Sequence, residues 1–291
     1  MKKKKKIQLL FIVLWIVVFL GYRQYDRLSA DTTAPQITIS DKQTLEISVR
    51  DPKAALLNGV SAKDNRDGDL SDKIVVEHMQ LVDDSGRILV SYAVADSSGN
   101  VAKLQQEVRY SDYESPKFTL SEALIYEDAD SFDIMNVVGA QDVIDGDIQH
   151  RIRVTALTEG SITDVGKHEV YFQVTNSLGD TAELAMSVEV FETGTFDGKL
   201  KLTDYLIYLP RGSTFKPTEY LDSFEYKAES TTLAGALPRN YELELIGAVT
   251  TEEPGVYPLG YKVTYTIRHA TNPDYDQKIT AYSKLIVIVE G

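Results

Sequence analysis

The chain has 291 residues, with 30 lysines and arginines against 44 aspartates and glutamates, which gives a formal net charge of −14. A chain this acidic repels phosphate backbones, which argues against nucleic-acid binding, and it attracts cations and basic partners. It contains no cysteine, which excludes a disulfide framework, a thiol nucleophile and thiolate metal sites. An exported protein without cysteine is more typical of Gram-positive bacteria than of eukaryotic secretion.

A basic tail at residues 1–6 precedes an uncharged apolar run at residues 7–22. At about 1.5 Å per residue this run forms a helix of roughly 24 Å, against a bilayer core of about 30 Å. Such a length suits a cleaved signal peptide or an uncleaved anchor, and the poor cleavage site LSA at 28–30 favours the anchor. We therefore predict a single-pass cell-membrane protein with a transmembrane signal anchor at 7–22, a stalk at 23–33 and extracellular C-terminal domains.

Two blocks of sequence recur along the chain. GVSAKDNRDGDLSDKIVVE at 59–77 recurs within 136–157, and 8 of 17 aligned positions are identical, including all of Asp-Gly-Asp. A second block at 86–110 recurs at 166–190. The spacing is 78 residues for the first block and 80 for the second, so the repeating unit is a whole small domain and not a solenoid repeat.

Short runs of alternating apolar residues, separated by turn residues, predict β-strands in each repeat. In the first repeat these runs lie at 37–40, 45–49, 73–82, 88–96 and 101–110. Their valine, isoleucine and tyrosine content is typical of a small antiparallel sandwich. We predict an all-β fold with domains at 34–111, 112–193 and 194–291, the last of which is divergent because it lacks Asp-Gly-Asp.

The repeated motifs also carry a family resemblance. An Ala-Pro at the domain start, then GVSAKDNRDGDLSDKIVV and SYAVADSSGNVA, resemble the bacterial immunoglobulin-like domain repeats of Gram-positive surface proteins, a type also appended to some insecticidal crystal toxins. The match is close over 33–111, clear over 112–192 and partial beyond. The resemblance implies tandem Ig-like β-sandwiches that serve as spacer or adhesion modules without catalysis, and it names no ligand.

The segment DNRDGDL at 64–70 carries the candidate metal ligands Asp64, Asp67 and Asp69. Several nearby carboxylates are what a hard cation such as calcium binds, although the spacing does not follow the EF-hand loop. The alternative is a tight turn in which Gly68 takes a positive φ and the aspartates accept backbone hydrogen bonds. The loop DSSGN predicts a hairpin turn, and its first residue, Asp96, would complete a metal site if it lay near Asp64.

Ten of the 17 tyrosines lie in the third domain. Tyr261 and Tyr265 are an even number of residues apart on one predicted strand, so both side chains are expected on the same face. They are candidate binding residues for a protein or glycan ligand at the cell surface, and the alternative is that they belong to the core.

No motif for catalysis is present, because the four histidines are scattered and neither HExxH, GxSxG nor a phosphate-binding GxxxxGK occurs. We predict a non-catalytic, membrane-anchored surface spacer and adhesion module that needs no cofactor other than the candidate calcium. The alternative keeps the architecture and makes the protein an accessory subunit of a cell-envelope machine that handles wall polymer or secretion.

Overall fold

The computed structural model describes residues 2–40, 44–127, 133–157, 162–235, 237–271 and 273–291. The described residues form one α-helix, 21 β-strands and several short 3-10 helices. The chain divides into two compact units, Met1–Tyr113 and Glu114–Gly291. The 3-10 helices lie at Lys53–Leu57, Ser71–Lys73, Ile134–Asn136, Gln149–Arg151, Pro217–Tyr220 and Pro273–Tyr275. The prediction of an all-β fold is confirmed for the described residues that follow the helix.

The helix α1 is Lys2–Ser29, so it extends past the predicted 7–22 span at both ends and includes part of the predicted stalk. Within the part of the chain that the structure describes, no helix combines the length and the apolar character needed to cross a membrane. The predicted transmembrane anchor at 7–22, the membrane contact through it and the single-pass localisation are therefore wrong. The physical reason is that the uncharged apolar run has 16 residues, and the charged residues on both sides of it lower the apolar character of any longer window of the helix.

Seven strands form the first sandwich, and they divide into two sheets. A three-stranded sheet has the order β1-β3-β4 and a four-stranded sheet the order β2-β7-β6-β5. Ile88, Val90 and Tyr92 alternate along β6 and are fully buried, which is the period-two pattern of a strand with one face in the core. The strands are β1 Gln36–Ile39, β2 Leu45–Ile47, β3 Val60–Asp64, β4 Gly68–Asp69, β5 Val75–Asp83, β6 Arg87–Ala95 and β7 Val101–Tyr110.

The second and third sandwiches repeat this topology strand for strand. Their three-stranded sheets are β8-β10-β11 and β15-β17-β18, and their four-stranded sheets are β9-β14-β13-β12 and β16-β21-β20-β19. The second sandwich contains β8 Lys117–Leu120, β9 Ile125–Tyr126, β10 Val138–Asp142, β11 Gly146–Asp147, β12 Arg153–Leu157, β13 Gly166–Thr175 and β14 Thr181–Val190. The third contains β15 Lys199–Leu202, β16 Leu206–Leu209, β17 Leu221–Tyr226, β18 Glu229–Thr232, β19 Tyr241–Ile246, β20 Gly255–Ile267 and β21 Gln277–Val289.

The sandwiches depart from the predicted antiparallel pattern in one respect. In each, the second strand of the sandwich pairs with the seventh in parallel: β2 with β7, β9 with β14 and β16 with β21. The second strand is short and enters at the edge of the four-stranded sheet, so the chain crosses from one sheet to the other after the first strand. The sequence of a short apolar run does not reveal whether the strand pairs in parallel or antiparallel, because a strand with one buried face has alternating apolar residues in both cases.

Candidate metal centre

The three aspartates of the DNRDGDL segment lie on the β3–β4 hairpin, but their carboxylates do not share one site. Asp67 accepts hydrogen bonds from the N–H and the Oγ–H of Ser97, at 2.5 and 2.8 Å. Asp69 accepts from the N–H and the Oγ–H of Ser71, at 2.9 and 2.6 Å. Gly68 has a φ of 75°, as the tight-turn interpretation requires. Asp67 and Asp69 therefore stabilise the turns on either side, and Asp64 alone points elsewhere.

Asp64 lies instead in a cluster with Asp31 and Asp96. One carboxylate oxygen from each of the three residues lies within 4.8 Å of the other two. Since calcium binds oxygen at about 2.3–2.6 Å, two oxygens that share one ion are at most about 5 Å apart, so these three can share a cation. The Asp31 side chain is 5% exposed and Asp96 is 8% exposed. The cluster is therefore a partly enclosed pocket of negative charge at the start of the first sandwich.

The two oxygens of Asp64 have different surroundings. Oδ1 accepts from the N–H groups of Asp67 and Arg66 at 2.9 and 2.7 Å, and these bonds, Asp67 first, hold the pKa of Asp64 below its ordinary 3.8. Oδ2 is shielded from solvent and has no hydrogen-bond partner among the described residues. The neighbouring Asp96 carboxylate opposes the ionisation of Asp64. A buried anionic oxygen without a donor, on a carboxylate that belongs to this cluster, is what a bound cation would satisfy.

The side chain of Asn100 joins the Asp96 carboxylate to the main chain of Asp31. Its Nδ2 donates to Asp96 Oδ2 at 2.7 Å and to the main-chain oxygen of Asp31 at 3.1 Å. Burial raises the pKa of Asp96, but hydrogen bonds from Asn100 and Ser98 outweigh it, so the net shift is downward. Asp31 Oδ1 accepts from the N–H of Thr33 at 3.0 Å. The segment that precedes the first sandwich is thereby held to the 96–100 turn, and all three acids are positioned on rigid backbone.

The second repeat has the same scaffold without the converging charge. Asp142 corresponds to Asp64, and Asn176 corresponds to Asp96. The Nδ2 of Asn176 donates to Asp142 Oδ2 at 3.0 Å, so the oxygen that has no donor in the first repeat has one here. Asp112 precedes Pro116 as Asp31 precedes Pro35, but it accepts from Ser48 Oγ and Val49 N at 2.7 and 2.8 Å. Within one chain, one copy is therefore a charge cluster and the other a satisfied hydrogen-bond network.

Sequence reasoning identified Asp64 and the conditional role of Asp96 but missed Asp31. Asp31 falls in the segment predicted to be a stalk, two residues after the end of α1. The signal that could have found it is its spacing from the proline that opens each domain, since Asp112 occupies the same place before the second. That spacing shows that Asp31 and Asp112 occupy equivalent positions in their repeats. It does not show that Asp31 contacts a turn about 65 residues away, because only the folding of the sandwich brings the two together.

The two predicted binding tyrosines belong to the third sandwich core and its margin. Tyr261 is fully buried, and its hydroxyl donates to the main-chain oxygen of Pro217 at 3.0 Å. Tyr265 is partly buried and stacks on Tyr241 with ring centroids 4.7 Å apart. A ligand cannot reach the ring of Tyr261 without opening the core. The core interpretation of these tyrosines is therefore the one that the packing supports.

A cavity with a volume of about 550 Å³ lies between the second and third sandwiches. Its lining is mostly apolar and includes Lys284 and Glu189. Lys284 Nζ donates to Glu189 Oε1 at 3.1 Å and to the main-chain oxygen of Ser187 at 2.7 Å. Because these charges neutralise each other, the cavity offers a ligand fewer unsatisfied groups than the aspartate cluster does.

The comparisons with known proteins assign no family to this chain. No protein-family model matches. The chain is 26% identical over 250 residues to the pesticidal crystal protein Cry22Aa of Bacillus thuringiensis, covering 84% of this chain and 33% of the toxin. The predicted resemblance to a crystal toxin is thus confirmed as a sequence similarity, although the chain spans only a third of that protein.

Two solved structures illustrate how distant the structural matches are. The CBM51-2 and INT domains of Clostridium perfringens ZmpB, in complex with GlcNAc, are 13% identical with a TM-score of 0.22, covering 88% of this chain and 44% of that one. Drosophila N-cadherin EC1-4 is 10% identical with a TM-score of 0.22, covering 89% of this chain and 76% of that one. Scores this low carry no argument about function.

Proposed function

We propose that this chain is a non-catalytic spacer and binding module of tandem Ig-like sandwiches, whose first sandwich binds a calcium ion through Asp31, Asp64 and Asp96. The observation that carries the proposal is a cluster of three carboxylates, one of which, Asp64, also has a buried oxygen that lacks a donor. The second repeat supports it, because the same backbone there replaces one acid by an amide and satisfies that oxygen.

The donor set favours calcium over other metals. All three side-chain ligands are carboxylate oxygens, and neither histidine nor cysteine belongs to the cluster. Hard oxygen ligands suit calcium and magnesium, while zinc and copper prefer nitrogen and sulfur. Calcium accepts irregular geometry with 6–8 ligands, roughly, and main-chain oxygens and water can supply the rest. Magnesium requires a near-ideal octahedron, which three acids from separate loops do not preorganise.

The spacer role follows from the repeated architecture and the binding role from the exposed, acidic surface. A calcium ion at the entry to the first sandwich would fasten the preceding segment to it, which suits a module that holds other parts of a protein apart. The expected partners are a protein or glycan ligand. Co-purification of stable protein partners would favour the alternative role as an accessory subunit of an envelope machine, and glycan binding by the isolated chain would favour the adhesion role.

Calcium is expected to raise the melting temperature of the first sandwich by about 10 °C over the value in chelator. A ligand at 100 times its dissociation constant that binds only the folded state adds roughly 2.7 kcal/mol to the free energy of unfolding. Differential scanning calorimetry of the full chain, with excess calcium or with EGTA, measures the shift. An unchanged melting temperature for the wild-type chain would contradict the calcium site.

The variant Asp96→Asn places the amide of Asn176 at the matching position of the first repeat and tests the ligand charge. It should abolish the calcium shift, because one ligand charge is lost. In EGTA the relief of carboxylate repulsion is opposed by the loss of the bond from Asn100 Nδ2, which would face the new amide nitrogen, so the calcium shift is the readout of this variant. Asp69→Asn is the matched control: it changes an aspartate of the same hairpin that lies outside the cluster, and should keep the calcium shift.

Calcium binding is expected to survive mild acid. The pKa values of Asp64 and Asp96 lie below the ordinary 3.8, so both remain ionised until the pH falls below that value. A carboxyl whose pKa is lowered by folding contributes stability above its unfolded pKa and loses it as the pH falls through the folded one. The calcium-dependent shift should therefore be constant above about pH 5 and disappear only below the ordinary carboxyl range. Calorimetry across this range measures it, and loss near neutral pH would implicate a different group.

A further inference from the structure

The aspartate cluster already has a cation from the chain itself at its rim. The Nε of Arg66 lies 3.5 Å from Asp31 Oδ2. The Arg66 side chain is 52% exposed, whereas the Asp31 side chain that it contacts is 5% exposed. The N–H of the same residue donates to Asp64 Oδ1. Arg66 is therefore fixed to the site by its backbone, while its guanidinium approaches the cluster from the solvent side.

The second repeat lacks this arginine together with the charge cluster. Ile144 occupies the position of Arg66, and its N–H makes the equivalent bond to Asp142 Oδ1 at 2.9 Å. The backbone of the turn thus does not require a cationic side chain at this position. An arginine occurs in the repeat where three carboxylates converge, and an apolar residue occurs where an amide has replaced one of them.

We propose that Arg66 is an internal counter-ion that competes with the calcium ion for Asp31 and thereby sets the affinity of the site. This inference rests on the calcium site proposed above. Without calcium, the guanidinium offsets part of the repulsion among the three carboxylates. A divalent ion that takes Asp31 Oδ2 as a ligand repels the guanidinium, which must move away. Because half of the Arg66 side chain is in solvent, it can leave without disturbing the core.

The competition has a consequence for the chain that enters the sandwich. Asp31 lies two residues after α1, and its main-chain oxygen is held by Asn100. Calcium would replace a partly solvated guanidinium contact with direct ligation of the same carboxylate. The entry segment is therefore held in both states, loosely by Arg66 and tightly by calcium, and occupancy controls how firmly α1 is joined to the first sandwich.

Calcium titration of the full chain by isothermal calorimetry tests the competition. Arg66→Gln should bind calcium about 3- to 10-fold more tightly than the wild type, because an exposed ion pair and its repulsion of the metal are both removed. Lys63→Gln is the matched control, since it removes one exposed positive charge from β3, beside Asp64, and Lys63 is not a member of the cluster. Its calcium affinity should stay within about twofold of the wild type, as expected for a solvent-screened charge.

A second readout follows Arg66 directly and does not depend on affinity. The Nε–H resonance of Arg66, followed by nitrogen-15 NMR, should move on calcium addition towards the position it has in calcium-free Asp31→Asn. An unchanged or weaker affinity in Arg66→Gln, or an Nε–H resonance that ignores calcium, would overturn the competition while leaving the calcium site intact. Absence of calcium binding in both the wild type and Arg66→Gln would instead overturn the proposed function itself.

Discussion

Replacing Glu189 by alanine is expected to destabilise the unit Glu114–Gly291 by about 3 kcal/mol, the loss typical when one partner of a buried ion pair is removed. Lys284 extends from β21 of the third sandwich to β14 of the second and is 2% exposed. Its ammonium donates to Glu189 Oε1 at 3.1 Å and to the main-chain oxygen of Ser187 at 2.7 Å. Without Glu189, a charged amine would remain buried with only the neutral main-chain oxygen and Oγ of Ser187 as partners.

The loss should be asymmetric between the two partners. Glu189 is 22% exposed, so in Lys284→Met its carboxylate can turn towards water, and that variant should lose less than Glu189→Ala. Urea denaturation of both variants measures the difference. Glu290→Ala is the control, because Glu290 pairs with Lys117 at 3.1 Å from a 42% exposed side chain and should cost less than about 1 kcal/mol. Equal losses in Glu189→Ala and Glu290→Ala would contradict the buried pair.

The pH dependence of Glu189→Ala provides an internal check. Burial lowers the pKa of Lys284, and Glu189 opposes that effect. In the variant the folded pKa falls further, so between that value and the ordinary 10.5 the unfolded chain binds more protons than the folded one. The free energy of unfolding of the variant therefore rises with pH through this window. The difference in free energy of unfolding between the wild type and the variant should shrink as the solution becomes alkaline.

The sequence was sufficient for most of the strands, because each sandwich buries one face of its four-stranded sheet. Ile88, Val90 and Tyr92 show the pattern clearly in β6. It was not sufficient for β3 and β4. These two strands are short, and the Asp-Gly-Asp residues of their hairpin are typical of a turn and not of a strand. The hairpin matters for the candidate site, since β3 ends at Asp64 and so fixes the carboxylate that the cluster is built around.

The sequence predicted only part of the candidate site, because the residues of the site are distant in sequence and come together only in the folded sandwich. The predicted set of Asp64, Asp67 and Asp69 follows proximity in sequence, whereas the structure separates these carboxylates and gathers Asp31, Asp64 and Asp96. Neighbouring carboxylates in a tight turn point in different directions and take local backbone donors. Residues that converge on one point come from separate loops at the same end of a sandwich, and their meeting depends on the pairing of sheets.

The third sandwich shows the opposite case, in which the fold persists without the motif. It lacks Asp-Gly-Asp, yet it has the same strand order as the first two. The β17–β18 hairpin takes the place of β3–β4, and its turn is made by Lys227 with a φ of 50° where the others use glycine. The topology therefore depends on the alternating buried side chains of the long strands. The Asp-Gly-Asp motif adds carboxylates to a hairpin that forms without it in the third sandwich.

Replacing Tyr261 by alanine is expected to lower the free energy of unfolding of the same unit by about 4 kcal/mol, within the range for large buried aromatic residues. The ring is fully buried among residues of β17, β20 and β21, and its hydroxyl donates to Pro217 at 3.0 Å. Tyr261→Phe should lose only about 1 kcal/mol, the typical value of one hydrogen bond. Urea denaturation measures both variants, and Tyr275→Ala, which changes a 72% exposed tyrosine, is the control.

The comparison of Tyr261→Ala with Tyr275→Ala decides whether the tyrosines of the third sandwich serve stability or ligand binding. If Tyr261→Ala kept the wild-type stability and lost binding to a protein or glycan, the side chain would have to be a ligand contact, contrary to its burial. If stability falls as expected and Tyr275→Ala leaves it unchanged, the tyrosines divide by burial into core and surface. A ligand surface on this sandwich would then have to be built from exposed side chains such as Tyr275, and the core tyrosines would serve it only by keeping β20 and β21 in place.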